Sequence, residues 1–127
     1  MITMTELECG FTVPKEHKSN LLDLFLKINL LAIAYGQSLT VNSGYRSLAH
    51  HKAIYKAKGI LTPPLGSNHL IGRAVDISDP DGRLMNWVLS NIPFMEKTGL
   101  WMEEPDSIPR VHFQTIPPKS GKRFFKP

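Results

Sequence analysis

Two short segments that alternate strictly constrain the fold of this chain more than anything else in it. In residues 73–77, Val75 and Ile77 share one face while Ala74 and Asp76 share the other; in residues 110–115, Val111 and Phe113 point one way and His112 and Gln114 the opposite way. Alternation with a period of two is the mark of a strand, because successive side chains leave a pleated backbone on opposite sides. An apolar face on each strand has to be covered, and helices are the available cover.

The longest helical pattern runs over residues 12–36. Pro14 suits a first turn, Glu16 follows it, and Leu21, Leu24, Phe25, Ile28, Leu31 and Ala32 recur at helical spacing before Gly36 stops the run. A short strand is expected at residues 39–42. Ser47 then caps a second helix to about residue 58, ended by Gly59. Pro63, Pro64 and Gly66 make residues 61–67 a loop. A turn at residues 78–82 caps a third helix over residues 83–91, which presents Leu84, Trp87 and Val88. Residues 99–103 read as a strand, and the tail from Pro117 reads as irregular. The sum is an α+β domain: a small, mostly antiparallel sheet with helices packed on one side.

A chain of 127 residues with 42% hydrophobic and 20% charged residues fits one globular domain, with a core over about residues 12–118 and a basic tail over 119–127. The single cysteine, Cys9, excludes an internal disulfide and any multi-cysteine metal site. The apolar stretch at residues 21–35 is broken by Asp23, Lys27 and Asn29, so no membrane span is expected. The N-terminal sequence lacks the basic start and apolar run of a signal peptide, so the product is expected to be cytoplasmic as made. The formal charge of +4 suits an anionic partner. No nucleic-acid-binding motif or basic stripe accompanies it, however, and Lys119, Lys122, Arg123 and Lys126 read as a solvated tail.

Chemistry concentrates in Ser67-Asn68-His69-Leu70-Ile71-Gly72-Arg73-Ala74-Val75-Asp76. On one helix, His69 and Asp76 would stand about 10 Å apart along the axis, too far to share an ion. A bend at residues 70–72, permitted by Gly72, would instead fold His69 back over a strand that carries Asp76. His112, on the polar face of the other alternating strand, is the natural third ligand, since opposed Cβ atoms lie about 5 Å apart in a sheet. Two imidazoles and one carboxylate form a catalytic zinc set that leaves a fourth position for water.

At these residues the chain resembles the zinc D-alanyl-D-alanine carboxypeptidase family, peptidase family M15, which includes phage endolysins and shares its fold with the hedgehog signalling domain. Ser67, His69, Gly72, Ala74 and Asp76 match the family's S-x-H-x-x-G-x-A-x-D signature, a coincidence expected on the order of once in a million start sites. Val41-Asn42-Ser43-Gly44-Tyr45-Arg46-Ser47 is similar to the V-T-S-G-Y-R-S run preceding the signature, and Arg110-Val111-His112-Phe113-Gln114 to the family's W-V-H-x-Q ending. The resemblance covers roughly residues 20–118 and is nearest to short single-domain members of phages and bacteria.

The resemblance implies a hedgehog/DD-peptidase fold, one catalytic zinc ion on His69, Asp76 and His112, and hydrolysis of peptide bonds in peptidoglycan stem peptides, by carboxypeptidase or endopeptidase action. It places Arg46 beside the substrate as a catalytic and binding cation, with Ser67 and Tyr45 nearby, Ser67 supporting the site by a hydrogen bond. Many family members carry a Glu three or six residues before the last histidine, where this chain has Pro109 and Asp106. Short members carry the acid at the end of the preceding strand, which ranks Glu103 first as general base, then Glu104, then Asp106. A monomer acting on the cell wall after release is expected, with peptidoglycan peptides as partners and neither nucleic acid nor membrane. The alternative is a zinc-containing binding module of the same fold without turnover. His17, His50 and His51 look uninvolved, and Trp87 and Trp101 read as core.

Overall fold

The computed structural model describes residues 1–104 and 109–126. Helix α1 (Met4–Glu8) opens the chain, followed by α2 (Lys15–Tyr35), β1 (Val41–Ser43), α3 (Leu48–Ala57), a 3-10 turn (Asn68–Ile71), β2 (Ala74–Ser78), α4 (Arg83–Leu89), α5 (Ile92–Thr98), β3 (Trp101–Glu103), β4 (Arg110–Gln114) and β5 (Phe124–Phe125). The strands form one mixed sheet in the order β1-β2-β4-β3-β5, antiparallel except for the β3–β5 pair.

The expected alternation sets the layers. Val75, Ile77, Met102, Val111 and Phe113 face a core completed by Leu21, Leu24, Ile28 and Leu31 of α2, Leu84 and Val88 of α4 and Met95 of α5. Helix α3 contributes no residue to this core among the described residues. It borders the opposite, polar face instead, where its Tyr55 and the following Lys58 line a cleft. Helices therefore cover the apolar face, as expected, while one further helix flanks the other.

Local signals act where sequence placed them. Gly36 and Gly72 take left-handed conformations with φ near 76°, which favour glycine. Ser47 caps α3 by accepting from the backbone N–H of His50. Both carboxylate oxygens of Asp79 accept from the first turn of α4, at Leu84 and Met85, each at 3.0 Å.

Three expectations are corrected. The core begins well before residue 12: Ile2 and Leu7 are buried, and Asn29 of α2 holds Ile2 by both its backbone N–H and C=O, at 2.7 and 2.9 Å. A separate helix, α5, occupies residues the pattern left unassigned, because it buries Met95 and so presents no repeating apolar face as α4 does. The tail is not irregular throughout, because Phe124–Phe125 adds a parallel strand beside Met102 and Glu103 and buries Phe125. Arg123 turns its guanidinium over the Trp101 ring at 3.9 Å and donates to the Leu100 carbonyl at 3.2 Å. Trp101 thus lies outside the core cluster, half-buried under an arginine, whereas Trp87 packs at the core's edge against Tyr35 and Phe94.

Candidate metal centre

Strand register builds the polar face. Ser43 pairs with Asp76, Asp76 with His112, and His112 with Glu103, so one row of opposed residues crosses four strands. Three residues of this row sit on the wet side of the sheet because their neighbours Val75, Ile77, Val111, Phe113 and Met102 are claimed by the core.

His69 arrives from outside the row. The 3-10 turn begins at Ser67, whose hydroxyl accepts from the His69 N–H, and ends at Gly72 in the left-handed region. That bend returns the His69 ring over β2 and brings its Nε2 to 3.4 Å from Asp76 Oδ1. His112 Nδ1 lies 2.9 Å from the same oxygen, and the two imidazoles meet edge to face with centroids 5.2 Å apart. One ligand atom from each of His69, Asp76 and His112 lies within 4.8 Å of the others, so the group could bind a metal ion.

Hydrogen bonds to the outer edges of the rings fix which nitrogens are free. His69 Nδ1–H donates to the Gly44 carbonyl at 2.8 Å, leaving Nε2 as the bare nitrogen facing Asp76. The Gln114 amide is oriented by its donation to the Ile116 carbonyl at 2.9 Å, so its Oε1 accepts from His112 Nε2–H at 3.0 Å. When His112 gives up its second proton, the lone pair left behind therefore belongs to Nδ1. Carbonyl acceptors behind both imidazoles are the kind of outer support that can orient histidines toward a metal.

Charge is concentrated here. Burial alone would push the Asp76 carboxyl up, but the adjacent imidazoles of His112, which hydrogen-bonds it, and His69 outweigh burial and hold the group far below the usual carboxylate range. Burial depresses His69, which favours the neutral, ligating form. Burial also acts downward on His112, yet its bond to Asp76 prevails and raises it, so without a metal His112 tends to keep its proton.

Asp76 Oδ2 carries two cations. Arg110 Nη1 donates to it at 2.7 Å, and Arg46 Nη2 lies 3.5 Å away. Arg46 is mostly buried and held at each corner: Nε donates to Ser43 Oγ at 3.0 Å, and Nη1 to His51 Nδ1 at 3.4 Å. His51, fully buried, donates through Nε2–H to the Pro64 carbonyl at 2.8 Å, which fixes Nδ1 as the acceptor. The expectation that His51 stands apart is thereby corrected. His50, by contrast, packs on Phe11.

His69, Asp76 and His112 line a cleft of about 710 Å³ whose wall also includes Arg46, Ser67, Glu103, Arg110 and Lys119. Of the three acids ranked as general base, Glu103 reaches this wall, with Oε2 3.9 Å from His112 Nε2. Glu104 is not among the lining residues, and Asp106 lies outside the described residues. Tyr45 is the other correction. Its side chain is buried in the core cluster against Phe11 and does not line the cleft, so it is not available to a substrate. Sequence reasoning placed Gln114 on the His112 face but missed Arg110 as a neighbour of the ligands; its signal was present, since it alternates onto the same face.

No known family model, curated protein or solved structure matches the chain.

Proposed function

We propose that this chain is a zinc-dependent metallopeptidase that hydrolyses peptide bonds in peptidoglycan stem peptides, built on a hedgehog/DD-peptidase fold. The observation that carries the reading is the convergence of His69 Nε2, Asp76 and His112 Nδ1 at the floor of an open cleft, with Glu103 in the same cross-strand row. The donor set suits zinc, which takes nitrogen and oxygen ligands and, with three from the protein, keeps one position open. The motif resemblance supplies the substrate class, and the four cations on the cleft wall (Arg46, Lys58, Arg110 and Lys119) suit a peptide bearing carboxylates.

Zinc, when bound, supplies Lewis acidity to the scissile carbonyl and acidifies an attacking water. The chain supplies the rest. Glu103 places a carboxylate on the cleft wall, where it takes the water's proton and passes it to the leaving amine. Arg46, clamped by Ser43 and His51, offers a positive charge that does not have to reorganise as an oxyanion develops or a substrate carboxylate docks. His51 and Ser67 act through others, the one holding Arg46 and the other the turn that carries His69. On this reading the protein works on the cell wall as a monomer, after release from the cell that makes it.

Mass spectrometry of purified muropeptides, incubated with the zinc-loaded chain and with the chelated chain, tests the proposal. Loss of D-alanine or of a longer stem fragment is expected, and only with the metal present. Unchanged muropeptides with zinc loaded would refute it. One observation favours a second reading, a zinc-containing binding module without turnover: Glu103 approaches the Nε2 edge of His112, whereas the lone pair faces Asp76 from Nδ1. Glu103→Gln discriminates the two. Lost hydrolysis with zinc retained supports the enzyme; a wild type that holds zinc and cleaves nothing supports the module.

A further inference from the structure

The two arginines on Asp76 are held very differently. Arg46 has a side chain only 11% exposed and is bonded at Nε and Nη1 to other residues as well, so its place is fixed by its surroundings. Arg110 has a side chain 52% exposed, and what anchors it among the described residues is the 2.7 Å bond from Nη1 to Asp76 Oδ2. It is the tighter contact made by the looser residue. Arg110 reaches Asp76 because it sits two positions before His112 on the same face of β4, opposite Ser78 of β2.

We propose that Arg110 is a cationic latch that competes with the metal for Asp76. In the metal-free chain its guanidinium supplies the positive charge that a buried carboxylate requires, since an uncompensated charge at that depth is costly. A divalent cation among His69, Asp76 and His112 takes over that duty and repels the guanidinium. Arg46 cannot leave, whereas Arg110, on a flexible and half-solvated stem, can swing into the cleft. The inference rests on reading those three residues as a metal site. It adds that metal affinity is set partly by a residue that is not a ligand and that lowers it.

Zinc affinity measured by chelator competition tests this on the wild-type chain, Arg110→Met and Lys119→Met. Arg110→Met removes the charge while keeping the stem and is expected to bind zinc roughly threefold to tenfold more tightly, the range for a half-exposed charged hydrogen bond. Raising the salt concentration should narrow the gap. Lys119→Met removes a cation from the same cleft wall and is expected to stay within about twofold of wild type if the effect belongs to the Asp76 contact rather than to general charge. Equal or weaker binding in Arg110→Met, or an equal gain in Lys119→Met, would overturn the latch while leaving the metal site standing. A wild-type chain that holds no zinc would overturn the site itself.

Discussion

Asp76 has two histidines at one oxygen and two arginines at the other, and the titration of this group governs how the site answers to acid. His112 is raised and keeps its proton beside Asp76, so a metal has to expel that proton to bind. Zinc affinity should therefore fall about tenfold per pH unit below the raised His112 value and level off above it, with about one proton released per ion in the sloping region. Calorimetry in two buffers of different ionisation enthalpy reads the proton count; a count of zero at pH 6 would contradict the assignment. Stability of the metal-free chain follows the opposite signs of the shifts. His112 is raised, so its contribution is present below about pH 6.5 and is lost as pH rises through its folded value. His69 and Asp76 are depressed, so theirs are present above their unfolded values, about 6.5 and 3.9, and are lost as pH falls. Denaturant titration of the chelated chain should thus show stability falling progressively below about pH 4, where Asp76 of the unfolded chain takes a proton that the folded chain still refuses.

At the scale of elements, helix α1 braces the site from behind. The Leu7 carbonyl accepts from Tyr45 N–H at 2.8 Å, and a Cβ built on Gly44 would lie 2.3 Å from that same oxygen. Gly44 in turn offers the carbonyl that orients His69. Gly44→Ala should cost about 1–3 kcal/mol, because backbone has to give way. It should also weaken zinc binding roughly tenfold or more, because the acceptor behind His69 moves. Thermal unfolding and chelator competition on the same variant check the two effects, and an unchanged zinc affinity would count against the brace. The C-terminal segment offers a second case. Removing residues 119–127 takes away β5 and the Arg123 cover on Trp101, and should lower stability by about 2 kcal/mol, whereas a solvated tail would cost nothing measurable. The reason sequence misjudged that segment is physical. A two-residue strand has no period to display, and its pairing with β3 is a matter of tertiary contact. The strands β2 and β4 were legible because their apolar alternation is a local property, and the His69 bend because Gly72 marks it. Arg46's clamp was not legible: His51 and Pro64 are brought together by the loop between α3 and the 3-10 turn, and nothing in their spacing announces it.

For the whole molecule, the proposed metal site would link ion binding to the fold. None of the three ligands neighbours another in the chain, so an unfolded chain offers the ion no preformed site, and binding free energy becomes folding free energy. Zinc at a hundred times its dissociation constant should stabilise the chain by about 2.7 kcal/mol, and a chelator should remove that increment. Differential scanning calorimetry with and without chelator measures it; identical midpoints would mean that no ion binds the native state. The apolar layer of the sheet was foreseeable as a layer. What could not be foreseen is that α3 would border the far side, forming with the loop after it one bank of the cleft.

The row from Ser43 through Asp76 and His112 to Glu103 has an implication for how such a site comes into being. A slip of one residue between β2 and β4 would turn Asp76 toward the oily layer and leave His112 facing an aliphatic neighbour. No half-zipped sheet can hold the ion weakly in a near-right pose. If the three residues hold a metal, as proposed, its capture would double as a proofreader of strand alignment, and misregistered copies of this chain would be recognisable by their inability to take it up.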